Sequence, residues 1–292
     1  MPGDSLICPP PEINIPGRHL LLRALVLRKN SMAVQSGKIV ELAVSIITAV
    51  AALYYLWSAM QGKSQELRHM TQLDAISDGV DKAVEEGKPV YISPGDQAYL
   101  QGMYAPMTIA GMNVLRYTTR LAIRRGARVI YPVPVNPESL PLIDGIFREV
   151  ATAEGKPEAY RREDVVYFGS EWYTYAGGFA AHLAREGVSA LVEVGAITGG
   201  GSSTPVGWVR EFGGMTVGGT ARYLHQGTWA MLADYPLFMD DIFAIAALCS
   251  EDNEVRASIV GGDVVKLFLF GLTLLFAILA LAGQPAANWL KT

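Results

Sequence analysis

Cysteine is nearly missing from this chain: there are two in 292 residues, Cys8 and Cys249. Cys8 stands in a proline-rich tail, so the central region holds a single thiol. That excludes an internal disulfide framework and a cysteine-based zinc site there. Long basic blocks are missing as well. The formal net charge is −4, so nothing marks a nucleic-acid footprint. The usual catalytic and nucleotide signatures are absent too. Dinucleotide binding wants Gly-x-Gly-x-x-Gly directly after the first strand, and the chain offers Ser93-Pro-Gly-Asp-Gln97. A P-loop needs Gly-Lys-Ser/Thr, and Gly199-Gly-Gly-Ser-Ser-Thr204 has no lysine. Neither a Gly-x-Ser-x-Gly elbow nor a kinase-type set occurs. His182 and His225 have no second histidine at metal spacing and read as core or solvated. Asp234, Asp240 and Asp241 lack the regular oxygen-ligand spacing of a calcium loop. The sequence identifies no cofactor and points to no metal.

Charge is scarce in two stretches, and these organise the rest. Val264 to Gly283 carries only Lys266, at its start, and has the ~20 residues a helix needs to cross hydrocarbon. Ile39 to Met60 matches it near the other end and closes on Tyr54-Tyr-Leu-Trp57, aromatics suited to the membrane interface. Both read as transmembrane helices, so everything between them begins and ends at one membrane face. The layout expected is a tail (1–37), a first helix (38–60), an α/β domain (61–263), a second helix (264–283) and a tail (284–292). Glu41 reads as an interfacial carboxylate favoured by the helix N-terminus, rather than part of an ion path. The first tail is broken by prolines, and His19 to Arg28 suits a surface helix or the start of a signal peptide. A start at Met32, leading straight into the first helix, is the alternative.

Between the runs a rhythm repeats. Helical segments, a glycine and a short β-rich run recur at Glu86 to Ile92, Arg125 to Tyr131 and Glu186 to Val192, with a looser copy from Glu154 to Phe168. Strands alternating with helices predict βαβ units and a mostly parallel sheet covered on both faces. Right-handed crossovers narrow this to a Rossmann-like or flavodoxin-like three-layer sandwich. A helix is expected to end at Gly87. After Glu193 the pattern predicts a long loop, one more strand between the glycine pairs of Phe212 to Thr220, a helix from Leu224 to Ala233 and another from Leu237 to Cys249 opened by Pro236. A polar turn at Glu251 to Glu254 is expected to lead through Gly261-Gly-Asp263 into the last helix.

Ligands in such sheets bind outside the carboxyl ends of the strands. The candidate ligand-binding residues there are Ser93, Glu171, Glu193 and the loop Gly199, Gly200, Gly201, Ser202 and Ser203. The loop's backbone amides suit a small anion, although its composition equally suits a flexible loop. Glu193 interrupts the apolar run Ala190 to Ala196, so it needs a partner or a shifted pKa. It is either a ligand-binding or catalytic acid, or it pairs with an arginine of a neighbouring helix or subunit. Arg210 and Arg222 are the arginines a neighbour would add to the loop.

Val192-Glu-Val-Gly-Ala196, Gly218-Gly-Thr220, His225-Gln226, Ala233-Asp-Tyr235 and Asp240-Asp-Ile-Phe243 together resemble an uncharacterised prokaryotic family of membrane-anchored proteins. The resemblance covers about Ile39 to Gly283 and implies one helix, an α/β domain and one helix; it implies no activity. The expectation is a membrane-anchored, homo-oligomeric scaffold with a non-catalytic α/β domain. Small residues on the first helix (Ala43, Ser45, Ala49, Ala52) let helices approach. The alternative is an anion- or nucleotide-binding or enzymatic domain tethered to the bilayer. The plasma membrane of a prokaryote is the expected place, with the domain in the cytoplasm, where a disulfide-free parallel α/β domain is at home.

Overall fold

The structure, a computed structural model, describes residues 39–61, 67–198, 203–250 and 252–281. The chain divides into two compact units, Ala52–Val264 and the two ends, Met1–Ala51 with Val265–Thr292.

The larger unit is an α/β domain with one all-parallel sheet of six strands. These are β1 (Val90–Ser93), β2 (Val129–Val133), β3 (Val165–Tyr167), β4 (Ala190–Val194), β5 (Met215–Thr220) and β6 (Tyr235–Phe238). Their spatial order is 3-2-1-4-5-6, the doubly wound order of Rossmann-type sheets, with the order reversing between β1 and β4. β1, β2 and β4 are buried at every residue, which is why they read as continuous apolar runs.

Helices cover both faces. On one lie α2 (Thr71–Glu86), α3 (Ala105–Arg125), α4 (Leu140–Ala153) and α8 (Asp241–Cys249), sharing a core with Val90, Ile92, Val192 and Val194. On the other lie α5 (Trp172–Glu186), α6 (Ser203–Glu211) and α7 (Gln226–Leu232), sharing a core with Tyr91 and Leu191. The period of two sends alternate residues of each strand to opposite cores. α2 ends where expected: Gly87 adopts φ 65°, a left-handed cap that glycine takes without a Cβ penalty.

Two expectations fail. Pro236 does not open a helix; it sits inside β6, and α8 starts only at Asp241. β6 is an edge strand, and the Pro236 carbonyl points away from β5 to accept from Gln72 Nε2 at 3.0 Å. The missing N–H therefore falls on the open side, where no ladder bond is lost. The last helix also begins earlier than expected. α9 runs unbroken from Asn253 to Leu281 through Gly261, Gly262 and Asp263, since a glycine costs a helix only about 1 kcal/mol.

α1 (Ile39–Met60) precedes the domain. Among the described residues one helix, Asn253–Leu275 of α9, is long and apolar enough to cross a membrane. α1 contributes a shorter apolar stretch, Val44–Tyr55. Phe270, Leu274, Leu275 and Leu281 of α9 stand exposed, as do Ile46, Val50 and Leu53 of α1.

Candidate functional site

The reversal of strand order sends the chain leaving β1 and the chain leaving β4 in opposite directions, which ordinarily opens a crevice. Here its floor is closed. The Ala196 N–H donates to the Pro94 carbonyl (3.1 Å), and the Gln97 N–H donates to the Ala196 carbonyl (3.2 Å). Glycine permits this approach. Gly95 and Gly195 have φ of 103° and 143°, and a Cβ on either would run into the other loop's backbone. Gly111 lets α3 lie against the same spot, where a Cβ would strike the Val194 carbonyl. Asp96 ties in further elements. Its carboxylate accepts from the Thr198 N–H at 3.0 Å, and its carbonyl accepts from the Val135 N–H at 2.8 Å.

Under this floor lies a buried polar cluster. Ser93 and Glu193 are register partners on β1 and β4, on the face that also carries Tyr91 and Leu191. Glu193 is 0% exposed, and neither carboxylate oxygen has a hydrogen-bond partner among the described residues. The Tyr175 hydroxyl, from the first turn of α5, is also buried and lacks a partner of good geometry, although it lies close to Ser93. Burial pushes the Glu193 carboxyl well above the usual carboxylate range, and the Asp96 carboxylate adds to this. Burial also pushes the Tyr175 phenol up, with Glu193 and Asp96 contributing. The cluster therefore favours a neutral acid beside a neutral phenol. Glu193 is buried within the chain's own fold, so pairing with an arginine from a neighbouring subunit would require the cluster to open. No arginine of the chain bonds to it among the described residues.

Above the floor opens a cleft of about 950 Å³. Loops from β1, β2, β3, β4 and β5 all reach it, as the carboxyl end of a doubly wound sheet requires. Among the described residues its one lining cation is Arg222, just past β5, and its one lining carboxylate is Glu171, just before α5. The Arg222 Nη1 donates to the Thr198 carbonyl at 3.3 Å, and its Cζ lies 5.5 Å from the centre of the Tyr104 ring. Tyr99 stands 5.6 Å from Tyr104, and Trp172 lines the cleft from the start of α5. Thr198 joins the two levels: its N–H binds Asp96 in the floor and its carbonyl binds Arg222 in the cleft.

The sequence-derived candidates divide between these levels. Ser93 and Glu193 fall in the buried cluster and Glu171 in the cleft, where it precedes α5 without a side-chain cap bond. Gly199, Gly200, Gly201 and Ser202 lie outside the described residues; Ser203 begins α6. Arg222 needs no neighbouring subunit to reach the site, whereas Arg210 sits in the last turn of α6, at the far end from the 199–202 loop. Asp96, Tyr175 and the aromatic wall were missed. Tyr175 carried a signal, being one helical turn beyond Glu171; Arg222 was named only as a neighbour's contribution, because only the strand order brings β5's loop to β1's. Other candidates are structural. His182 bonds Tyr91 in the core (2.9 Å), and Asp234 accepts from Thr216 through both N–H and hydroxyl at 2.9 Å. Among the described residues no cluster of His, Cys, Asp and Glu suits a metal.

No curated protein and no solved structure matches the chain. Residues 29–289 match a family described as Domain of unknown function (DUF6754), and that stretch includes the whole sheet, the buried cluster, the cleft, α1 and α9. The chain is a member of this DUF6754 family.

Proposed function

We propose that this chain is a membrane-tethered binding protein whose α/β domain takes a small anionic ligand with a flat portion. The observation that carries this is the convergence of Arg222 with Tyr99, Tyr104 and Trp172 on the cleft at the strand-order reversal. Arg222 presents a planar donor fork suited to a carboxylate or phosphate, and the aromatic wall suits a ring. α9 supplies one membrane span, and α1 the second, so that the domain lies between two passes on the cytoplasmic face of a prokaryotic plasma membrane. The test is a thermal-shift series with nucleotides, sugar phosphates and dicarboxylates. At least one should raise the wild-type melting temperature and lose that effect in Arg222→Gln. If none does, the cleft is not an anion site. Labelling of a cysteine placed at Glu158 by an impermeant reagent on intact cells would put the domain outside.

A second reading, a homo-oligomeric scaffold, draws on a different surface. Tyr223, Leu224 and Met231 are 74%, 61% and 72% exposed, on the turn after β5 and on α7. Native mass spectrometry of the detergent-extracted protein decides it: a single-chain mass removes the scaffold reading and leaves the binding one untouched.

A further inference from the structure

Gln97 links the floor of the cleft to its aromatic wall. Its N–H donates to the Ala196 carbonyl in the floor, and the residue also lines the cleft. Gln97 is 4% exposed, and no hydrogen bond joins its side-chain amide to another described residue. An amide held that far from bulk water, with donor and acceptor both idle, is costly until something in the cleft completes it. The backbone is bent to keep it there. Ala98, between Gln97 and Tyr99, is fully buried at φ 39°, in the left-handed region that a residue with a Cβ seldom adopts. Strain of this kind collects at ligand sites, where the surrounding structure enforces it.

The groups around Gln97 give the ligand its class. Tyr99, Tyr104 and Trp172 offer faces to a flat ring. The Gln97 amide offers a donor beside an acceptor, the fork that matches a nucleobase edge, where an N–H and an acceptor stand side by side. Arg222 spends Nη1 on the Thr198 carbonyl, and its Nε and Nη2 bond no other described residue, so they are open to an oxyanion. Glu171 only accepts, which suits sugar hydroxyls and repels a second phosphate. One lining cation and one lining carboxylate among the described residues compensate a single phosphate rather than a chain of them. Residues 199–202, which continue from Thr198, lie outside the described residues and include no charged residue. An aromatic amino acid would match Arg222 and Glu171 but leaves half of the Gln97 fork unmet. We infer that the cleft binds a nucleoside monophosphate, with Gln97 on the base edge, Arg222 on the phosphate and Glu171 on the ribose hydroxyls. The inference rests on the reading of the cleft as an anion site.

The experiment uses the full chain in detergent, with melting temperature as the readout. The common nucleoside monophosphates are compared with their nucleosides, ribose phosphate, succinate and free tryptophan. At least one monophosphate should raise the melting temperature by several degrees, and by more than its nucleoside or ribose phosphate does. The matching triphosphate should do no better. Gln97→Leu keeps the backbone bond of the floor; it should reduce the monophosphate response to that of ribose phosphate and leave the ribose phosphate response as in the wild type. Arg222→Gln should reduce it to that of the nucleoside. Quenching of tryptophan fluorescence by the same monophosphate, absent in Trp172→Phe, reads the base on the aromatic wall with Gln97 untouched. If no anion raises the melting temperature, the cleft reading and the nucleotide fall together. If ribose phosphate or succinate equals the best monophosphate, the nucleotide assignment falls alone and the anion site stands. An equal rise with tryptophan, a larger one with the triphosphate, or a monophosphate response undiminished in Gln97→Leu also overturns the nucleotide assignment.

Discussion

Two buried carboxylates sit at opposite ends of the same sheet and are treated in opposite ways. At the amino end, Asp164 is 1% exposed and fully engaged. It accepts from Arg128 Nε and Nη2 at 3.0 and 2.7 Å and from Arg161 Nε at 2.9 Å, while Glu186 takes Arg128 Nη1 at 2.8 Å. Arg128 and Arg185 hold the Glu186 carboxyl below the usual carboxylate range. At the carboxyl end, Glu193 is 0% exposed and neither oxygen is hydrogen-bonded among the described residues. One acid clamps the start of β2 and β3 to the end of α5. The other forgoes pairing at the end where such sheets bind ligands. An acid that a fold keeps unpaired, at a cost, is a candidate for function, and one that it pairs is a candidate for structure.

The comparison breaks most visibly at the paired end. Arg128→Met strips Asp164 of two of its three guanidinium bonds. Leaving a buried charge under-compensated should cost about 3 kcal/mol, read from urea unfolding of the protein in detergent. A loss below about 0.5 kcal/mol, the size of an ordinary surface substitution, would mean that the amino-end network is no clamp.

At the other end the glycine floor is the weak point. Gly195→Ala places a Cβ at φ 143° against the Pro94 carbonyl. It should destabilise by about 2 kcal/mol, and any ligand-induced thermal shift should shrink with it, because Asp96 and Thr198 hang from the same crossing. An unaltered ligand response would separate the floor from the cleft.

Glu193→Gln tests the unpaired acid through pH. The folded-state carboxyl is raised, so the native protein binds more protons than the unfolded chain over a window that opens near the unfolded value of about 4.3. Wild-type stability is therefore complete below that value. It falls as pH rises towards the folded-state pKa, by at most about 1.4 kcal/mol per pH unit. The glutamine variant has no such slope, so it should overtake the wild type as pH rises, by about 1 kcal/mol near pH 7. Parallel pH–stability curves for the two proteins would show that Glu193 is ionised and compensated in the native state.

The smallest effect comes from two buried tyrosines. The Tyr131 hydroxyl bonds Thr119 Oγ1 at 2.8 Å, whereas that of Tyr175 has no partner of good geometry among the described residues. Tyr131→Phe should cost about 1 kcal/mol and Tyr175→Phe close to nothing. If Tyr175→Phe costs as much, its hydroxyl is satisfied in the native protein and the lower cluster is a closed structural network.

Glu193 was conspicuous in the sequence because a charge in the run Ala190 to Ala196 violates the pattern of a buried strand. Asp96 was not, since it follows Pro94-Gly95 and looks like ordinary turn chemistry. Pro236 misled because proline at the first turn of a helix and proline on an edge strand look the same locally. The glycines at Gly261 and Gly262 misled in the same way: they suggest a break, but a helix continuing on both sides absorbs their cost.

The sequence by itself determined the alternation of strands and helices, the buried status of the central strands, the end of α2 at Gly87 and the apolar length of α9. Each of these follows from side-chain periodicity or from a single residue's backbone preference, which act over a few neighbours. Only the tertiary structure decided which strands lie side by side, and hence the site. Placing β4 beside β1 sets Glu193 against Ser93 and brings Thr198 to Asp96, although 102 residues separate the last pair. Placing β5 next to β4 carries Arg222 to the aromatic residues of the β1 loop. Such pairings depend on crossover handedness and on how the helices fill the two faces of the sheet, and those are properties of the packed chain as a whole.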